Sequence, residues 1–427
     1  MGTREAVIGR IIFILLLAFE IAVMSGYTTI SNDGWTVGGV NIYPVDVILA
    51  VVFLVTAVGY TRKGVLGGDP NGPVLLLILV YAVYQIAVVL PLSASATGAL
   101  SLKNLVRFLA PRMQVLLVPF LYWFVLPSFR DVRSATKIVI ICSVVPIGIA
   151  LYNFSRGISG HTDNGELRLL WGGTAVLYAF VLVTSVEFFS HARTSVFSAV
   201  VAALGLAAAN HRSAYVVVGI MIILIVLLNA HDRRSRAGIV NLGLVIAAFL
   251  VLFLSIPSLG QSLLSRLSSS LDLSDPTAQD RFYRWRQSWD FFMANPINGS
   301  MLPERYYRIP LGLEYSPHNF LMERLATEGV VGIVFYLALI SYGLLKALRN
   351  RADELSWQML MMLMFYTGFS LFNGNFLDEW DYLFFALPYA MVLYRDTTGD
   401  EEEGEAGEGD EELPEDEDEE TLQEDFR

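Results

Sequence analysis

The stretch SAYVVVGIMIILIVLLNA, residues 213–230, decides the fold class, because it runs for 18 residues without a charged side chain. A bilayer core is about 30 Å thick, and roughly 20 apolar helical residues cross it. Similar continuous blocks recur along the 427 residues, of which 54% are hydrophobic and only 16% charged. A transmembrane barrel would instead alternate in polarity over strands of about ten residues. The sequence therefore predicts an all-α polytopic membrane protein.

Twelve blocks have the length and polarity expected of membrane-spanning helices. We predict spans at roughly 6–27, 43–60, 72–91, 113–127, 137–153, 169–189, 194–210, 213–230, 237–257, 328–348, 356–374 and 381–395. The first block is preceded by Arg4 and Arg10 and is too long for the apolar part of a signal peptide, so we interpret it as an uncleaved span.

Positive charge alternates between the connecting loops. Four short loops are rich in basic residues: those with Arg62 and Lys63, with Arg130, Arg133 and Lys137, with Arg233, Arg234 and Arg236, and with Lys346, Arg349 and Arg351. Because cytoplasmic loops are enriched in Lys and Arg, this alternation predicts that both termini are cytoplasmic. The expected location is the cytoplasmic (inner) membrane, with one large loop, residues 258–328, on the extracytoplasmic face.

The domain division follows from charge. Residues 396–427 hold 18 of the 41 Asp and Glu and one basic residue, so they dominate the net charge of −12. Such a low-complexity acidic run predicts a disordered cytoplasmic tail, either a solvating appendage or a docking segment for a basic partner. Residues 1–395 form the membrane domain, and no nucleic-acid partner is expected.

The large loop is the most polar part of the membrane domain. It carries one histidine, His318, and seven arginines: Arg266, Arg281, Arg284, Arg286, Arg305, Arg308 and Arg324. This composition predicts that the loop binds and acts on an anionic substrate at the membrane surface.

His318 lies in a stretch that is typical of a helix start. Ser316 suits the N-cap and Pro317 the first helical position, which would place His318 and Asn319 in the first turn. The positive end of the helix dipole disfavours an imidazolium, and the first-turn amides favour an anion. A neutral base beside an anion site suits group transfer from a phosphate-activated donor. The alternative is that His318 only caps or packs.

Three further arginines are candidate phosphate ligands. Arg281 and Trp285 share a face of a predicted helix at i and i+4, with Arg284 and Arg286 close by. Arginine binds phosphate oxygens in a planar, bidentate manner. Arg212 lies in a tight turn between two apolar blocks. The alternatives are a solvated surface helix for the first three and a snorkelling side chain for Arg212.

These motifs resemble the O-antigen ligase and O-antigen polymerase superfamily of membrane proteins. The similarity rests on three stretches in the family's order: Arg212-Ser213 at a helix start, Arg281 and Trp285 followed by Asn295-Pro296 and Gly299, and His318-Asn319-Phe320-Leu321 followed by Glu328-Gly329-Val330-Val331-Gly332. The chain departs from the family pattern at His211 and at Gly299-Ser300-Met301, which affects fine substrate positioning.

The resemblance implies a GT-C-like membrane glycosyltransferase without a cofactor, metal-independent and inverting. The implied donor is a polyprenyl-diphosphate-linked glycan within the membrane lipids, and the acceptor a sugar hydroxyl of a lipid or glycan. By this resemblance His318 is the catalytic base, and Arg281 and Arg212 hold the donor diphosphate. Arg284, Arg286 and Asn319 are further candidates for donor binding.

Two alternatives remain open. Asp378, Glu379 and Asp381 form an acidic cluster that fits either a metal site or a polar interfacial turn. The competing class is a transporter or flippase of lipid-linked glycans, which would concentrate charge along a pathway inside the membrane.

Glu20 lies near the middle of the first span, and we expect it to face the bundle interior.

Overall fold

The computed structural model describes residues 3–24, 35–37, 40–42, 44–63, 69–92, 112–129, 132–156, 169–170, 173–185, 192–209, 211–229, 243, 247, 261, 265, 276–300, 317–350, 354–373 and 382–407. Of the large loop, these ranges contain mainly 276–300 and the stretch from 317 onward. The predicted span at 237–257 and the cluster Asp378–Asp381 lie outside the described residues, apart from helical Gly243 and Ala247.

The described chain is almost entirely helical. We number its helices α1 Thr3–Met24, α2 Pro44–Lys63, α3 Gly72–Leu92, α4 Gln114–Ser128, α5 Arg133–Ser155, α6 Thr174–Ser185, α7 Ala192–Ala209, α8 Arg212–Asn229, α9 Pro276–Ala294, α10 Phe320–Arg349, α11 Glu354–Asn373 and α12 Leu383–Gly407. The prediction of an all-α class is confirmed apart from a small antiparallel hairpin, β1 Trp35–Val37 and β2 Val40–Ile42.

Within the described ranges, four helices are both long and apolar enough to cross a membrane: α3, α5, α10 and residues 355–372 of α11. Five shorter apolar segments lie in α2, α4, α6, α7 and α12. The helices match the predicted blocks closely, since 213–230 becomes Arg212–Asn229 and 72–91 becomes Gly72–Leu92. The count of twelve spans and their orientation stay predictions.

The interior of the bundle is built around α6, α11 and α12. Every residue from Ala175 to Val183 is buried, so α6 is apolar on all sides and lies between its neighbours α7 and α11. A helix that is hydrophobic all round belongs in the centre of a bundle. Glu20 of α1 is 7% exposed, as expected for a carboxylate that faces the interior.

Helices α3 and α10 form an antiparallel pair that sets the depth of the site. At one end the Tyr342 hydroxyl donates to Oδ1 of Asn71 over 3.4 Å; at the other the Gln85 amide donates to Glu328 over 3.0 Å. Both contacts are 14 residues apart along their helices, which corresponds to about 21 Å of rise. The contact at Glu328 therefore lies near the loop end of the membrane-spanning pair.

The last helix is longer than the sequence predicts. It continues from the apolar block to Gly407, twelve residues into the acidic segment 396–427. The prediction of disorder for residues 408–427 falls outside the described residues.

Candidate functional site

His318 immediately precedes the N-cap of α10. Asn319 is the N-cap, with extended backbone angles and a side-chain oxygen that accepts the Met322 N–H over 3.1 Å. His318 has a positive φ of 50° and is half-buried. Histidine tolerates this left-handed region better than most residues, but the conformation excludes His318 from the helix.

This geometry corrects the predicted helix start at Ser316, which would have placed His318 and Asn319 in the first turn. The physical reason lies at Pro317, whose carbonyl accepts the Trp285 indole N–H over 2.7 Å instead of a helical N–H. The Asn319 cap also occupies one of the amides that the predicted anion site requires. His318 still lies beside the positive end of the helix, but one residue before the N-cap instead of in the first turn.

Helix α9 carries the three arginines of the large loop that the sequence singles out. Arg281 is half-buried, Arg284 is buried and forms an ion pair with Asp280 one turn earlier, and Arg286 is exposed. The three side chains therefore have three different environments. Arg284 has a structural carboxylate partner, so its assignment to the donor diphosphate stays a prediction with a competing local role.

The Trp285 hydrogen bond joins α9 to the peptide that precedes His318. Trp285 lies one helical turn after Arg281 on the same face, as the i, i+4 spacing predicts. Its indole is held by Pro317, and α9 packs along α10. The fold thus brings the helix that carries Arg281 against the segment that carries His318.

A backbone contact fixes the far end of α9 to a kink in α10. The kink is at Gly329, with φ 62° and ψ −153°, and the Val330 N–H donates to the Pro296 carbonyl over 3.0 Å. Gly299 also has φ 62°, and a Cβ there would lie 2.6 Å from the Glu328 nitrogen. Only glycine permits both the positive φ and this backbone approach. The Asn295-Pro296, Gly299 and Glu328-Gly329 motifs therefore have a shared structural purpose.

Arg212 is the first residue of α8, at a helix start as predicted. Its side chain lies outside the described residues, so its place relative to His318 stays a prediction. The neighbouring His211 shares a 2.8 Å hydrogen bond with the Ser213 hydroxyl, and its ring lies 5.2 Å from that of Phe369 on α11. His211 thus anchors the start of α8 to the bundle.

The sequence analysis missed the role of Glu328, which is fully buried at the end of the segment that follows His318. Its Oε1 accepts hydrogen bonds from Nη1 of Arg324 at 2.9 Å and from Nε of Arg112 at 3.3 Å. Its Oε2 accepts the Tyr81 hydroxyl at 2.9 Å and the Gln85 amide at 3.0 Å. We call these five side chains the Glu328 network. In the sequence, the only signal for this role is the i, i+4 spacing of Arg324 and Glu328, which is typical of an ion pair on a helix.

The Glu328 network lies inside the bundle. Gln85 begins a π-helical turn of α3, seven residues before Leu92, so the network lies roughly 10 Å in from that end of the helix. The guanidinium of Arg324 also lies 5.4 Å from the ring of Tyr336. The segment from His318 to Glu328 is therefore held at both ends, by Trp285 at Pro317 and by this network at Glu328.

The two possible roles of Asn319 are separable by substitution. We expect Asn319→Ala to lower the free energy of unfolding by about 1 kcal/mol, since the cap is lost. Asn319→Asp keeps a capping oxygen and should unfold like the wild type, but it removes the side-chain NH2 group and adds a negative charge. If Asn319 binds the donor, Asn319→Asp raises the donor KM. Thermal unfolding and transfer kinetics check both; equal destabilisation by the two variants would contradict the capping role.

Comparison with known families gives a match to part of the chain. The sequence model of the O-antigen ligase family matches residues 197–337, about a third of the chain. The matched region runs from within α7 to the middle of α10 and contains His318, Asn319 and all four candidate arginines. No curated protein matches the chain.

Proposed function

We propose that this multi-pass membrane protein is a glycosyltransferase of cell-surface polysaccharide biosynthesis. The premise is that residues 197–337 belong to the O-antigen ligase family. The donor is a glycan on a polyprenyl diphosphate, and the acceptor is a sugar hydroxyl of a lipid or of another glycan. The reaction takes place at the extracytoplasmic face of the cytoplasmic membrane. Transfer is either single or repeated.

The observation that carries this proposal is the attachment of α9 to the stretch before His318. The Trp285–Pro317 hydrogen bond places the helix of Arg281 next to the only segment of the large loop with an imidazole. A base and guanidinium groups at one place are what a transfer from a diphosphate requires.

In the proposed mechanism, His318 accepts the proton of the acceptor hydroxyl while its oxygen attacks the anomeric carbon. The new glycosidic bond forms with inversion as the bond from the anomeric carbon to the diphosphate oxygen breaks. The lipid diphosphate leaves with the electron pair. Arg281 and Arg212 stabilise the charge that develops on it, in the role that a divalent metal has in other glycosyltransferases.

We expect Arg281→Lys to lower transfer by at least tenfold, because an ammonium group lacks the planar fork that binds two phosphate oxygens. Arg133→Lys is the matched control, since Arg133 is exposed, lies in a loop predicted to be cytoplasmic and has no assigned role in the site. The measurement is kcat/KM for a lipid-linked oligosaccharide with the protein in detergent. Equal activity of Arg281→Lys and the wild type would exclude a bidentate role.

The alternative function is transport of a lipid-linked glycan. The Glu328 network favours it in one respect, because charge inside a membrane bundle often marks a substrate pathway. However, Glu328, Arg324 and Arg112 are at most 5% exposed, and both arginines already bind Glu328.

The two functions differ in the fate of the glycosyl bond. The test incubates the purified protein with lipid-linked oligosaccharide and candidate acceptors, with and without EDTA. We expect EDTA-insensitive release of lipid diphosphate and a new glycosidic bond. Movement of the lipid between leaflets with the glycosyl bond intact would instead identify a transporter.

A further inference from the structure

Helix α9 presents an apolar stripe away from the bundle. Phe282, Trp289 and Met293 are 50%, 45% and 60% exposed. At 3.6 residues per turn, these three positions fall within about 40° of one another around the helix. Large apolar side chains arranged in this way are not scattered surface residues but one contiguous face.

The rest of the helix surface consists of a buried side and a flank that carries exposed polar residues and the exposed Tyr283. Arg284, Ser288 and Phe292 are buried on another side of the helix, and α9 packs along α10. The exposed polar residues Gln279, Arg286 and Asp290 lie along one flank of the apolar stripe. The outer surface of α9 thus has an apolar half and a polar half side by side, as in helices that lie in a membrane interface.

The stripe continues onto the surface of the membrane-spanning bundle. Ile297 lies in the turn that follows α9, four residues after Met293, and is 68% exposed; its carbonyl accepts the Val331 N–H over 3.3 Å. It lines a notch of about 440 Å³ together with Leu92, the last residue of α3. Beyond the kink, α10 exposes Val331, Val334 and Leu337 along the side that faces lipid.

We infer that α9 lies in the membrane interface on the side of the large loop, with Phe282, Trp289 and Met293 embedded among bilayer lipids. The occupant of this face is lipid rather than another protein, because the face is continuous with the lipid-facing side of α10. Aromatic side chains are enriched at this depth, and Arg286 on the flank is placed to meet lipid phosphates. This inference concerns the seating of the helix and does not depend on the proposed chemistry.

The test measures whether each face of α9 is in contact with lipid or with water. A full-length Cys142→Ala chain receives one spin label at a time, through Trp289→Cys and Met293→Cys on the stripe and Gln279→Cys and Asp290→Cys on the flank. The protein is placed in nanodiscs of phosphatidylcholine and phosphatidylglycerol. Electron paramagnetic resonance then compares collisions with oxygen, which partitions into lipid, and with a water-soluble nickel complex.

We expect the stripe labels to favour oxygen several-fold over the nickel complex, and the flank labels to show the reverse. Equal nickel access at positions 289 and 290 would overturn the inference. Low access of both reagents at the stripe would do so as well, because it would show that protein covers the face. Met293→Cys decides the case if Trp289→Cys does not fold, since it replaces one exposed sulfur-containing side chain by another.

Discussion

Replacing His318 by alanine is expected to lower glycan transfer by about 10²–10⁴-fold, the usual contribution of a positioned general base. The loss should appear in kcat, because the imidazole acts on the proton that moves during attack. Donor binding through the arginines should be largely retained. The measurement is single-turnover transfer from a lipid-linked oligosaccharide at saturating donor.

In the structure, neither of the two contacts that fix the start of the segment before α10 is made by the His318 side chain. Asn319, not His318, caps α10, and Pro317, not His318, receives the Trp285 hydrogen bond. Removal of the imidazole therefore leaves both anchors of the segment in place. We expect His318→Ala to remain folded and to lose much less stability than activity, with part of that loss due to alanine at a positive φ.

The positive φ of His318 calls for a second variant. His318→Gly relaxes the left-handed backbone while it also removes the base, so it should be inactive and at least as stable as the wild type. His231→Ala, in a loop predicted to be cytoplasmic, is the histidine control and should be fully active. Wild-type transfer by both His318 variants would remove the basis of the proposed mechanism.

The sequence predicted the helices well because their determinants are local. Residues 213–230 and 72–91 are continuous apolar blocks, and nothing in the folded state competes with them for the backbone. The start of α10 was predicted wrongly because Ser316-Pro317 has the pattern of a helix start. The competing hydrogen bond comes from Trp285, which is 32 residues away. A rule based on neighbouring residues does not include that contact.

The candidate site was predictable as a set of residue types but not as an arrangement. Glu328 and Gly329 belong to the motif on which the family resemblance rests, yet the motif does not reveal that Glu328 binds Arg112 and Gln85, 216 and 243 residues earlier in the chain. Nor does it show that Gly329 meets the backbone near Ile297. Both contacts require the tertiary fold, in which α10 packs against α3 and against the turn that follows α9.

Loss of the Glu328 charge should have the largest effect on stability. Breaking a buried ion pair by removing one partner typically costs about 3–5 kcal/mol, because the remaining charge stays buried without compensation. Glu328→Gln leaves two guanidiniums, Arg324 and Arg112, around a neutral amide. We expect a clear fall in the unfolding temperature in detergent, together with a loss of transfer, since the His318 segment loses its attachment at Glu328.

A graded series separates the charge from the hydrogen bonds. Tyr81→Phe removes one donor to Oε2 and leaves both ion pairs, so its cost should be about 1.5–3 kcal/mol, the value of a hydrogen bond to a charged group. Arg112→Gln in the Glu328→Gln background should cost less than it does alone, because the pair is then already broken. If the two substitutions add independently, Glu328 does not hold the segment through Arg112. The attachment of the His318 segment at Glu328 would then depend on the hydrogen bonds from Tyr81 and Gln85 of α3.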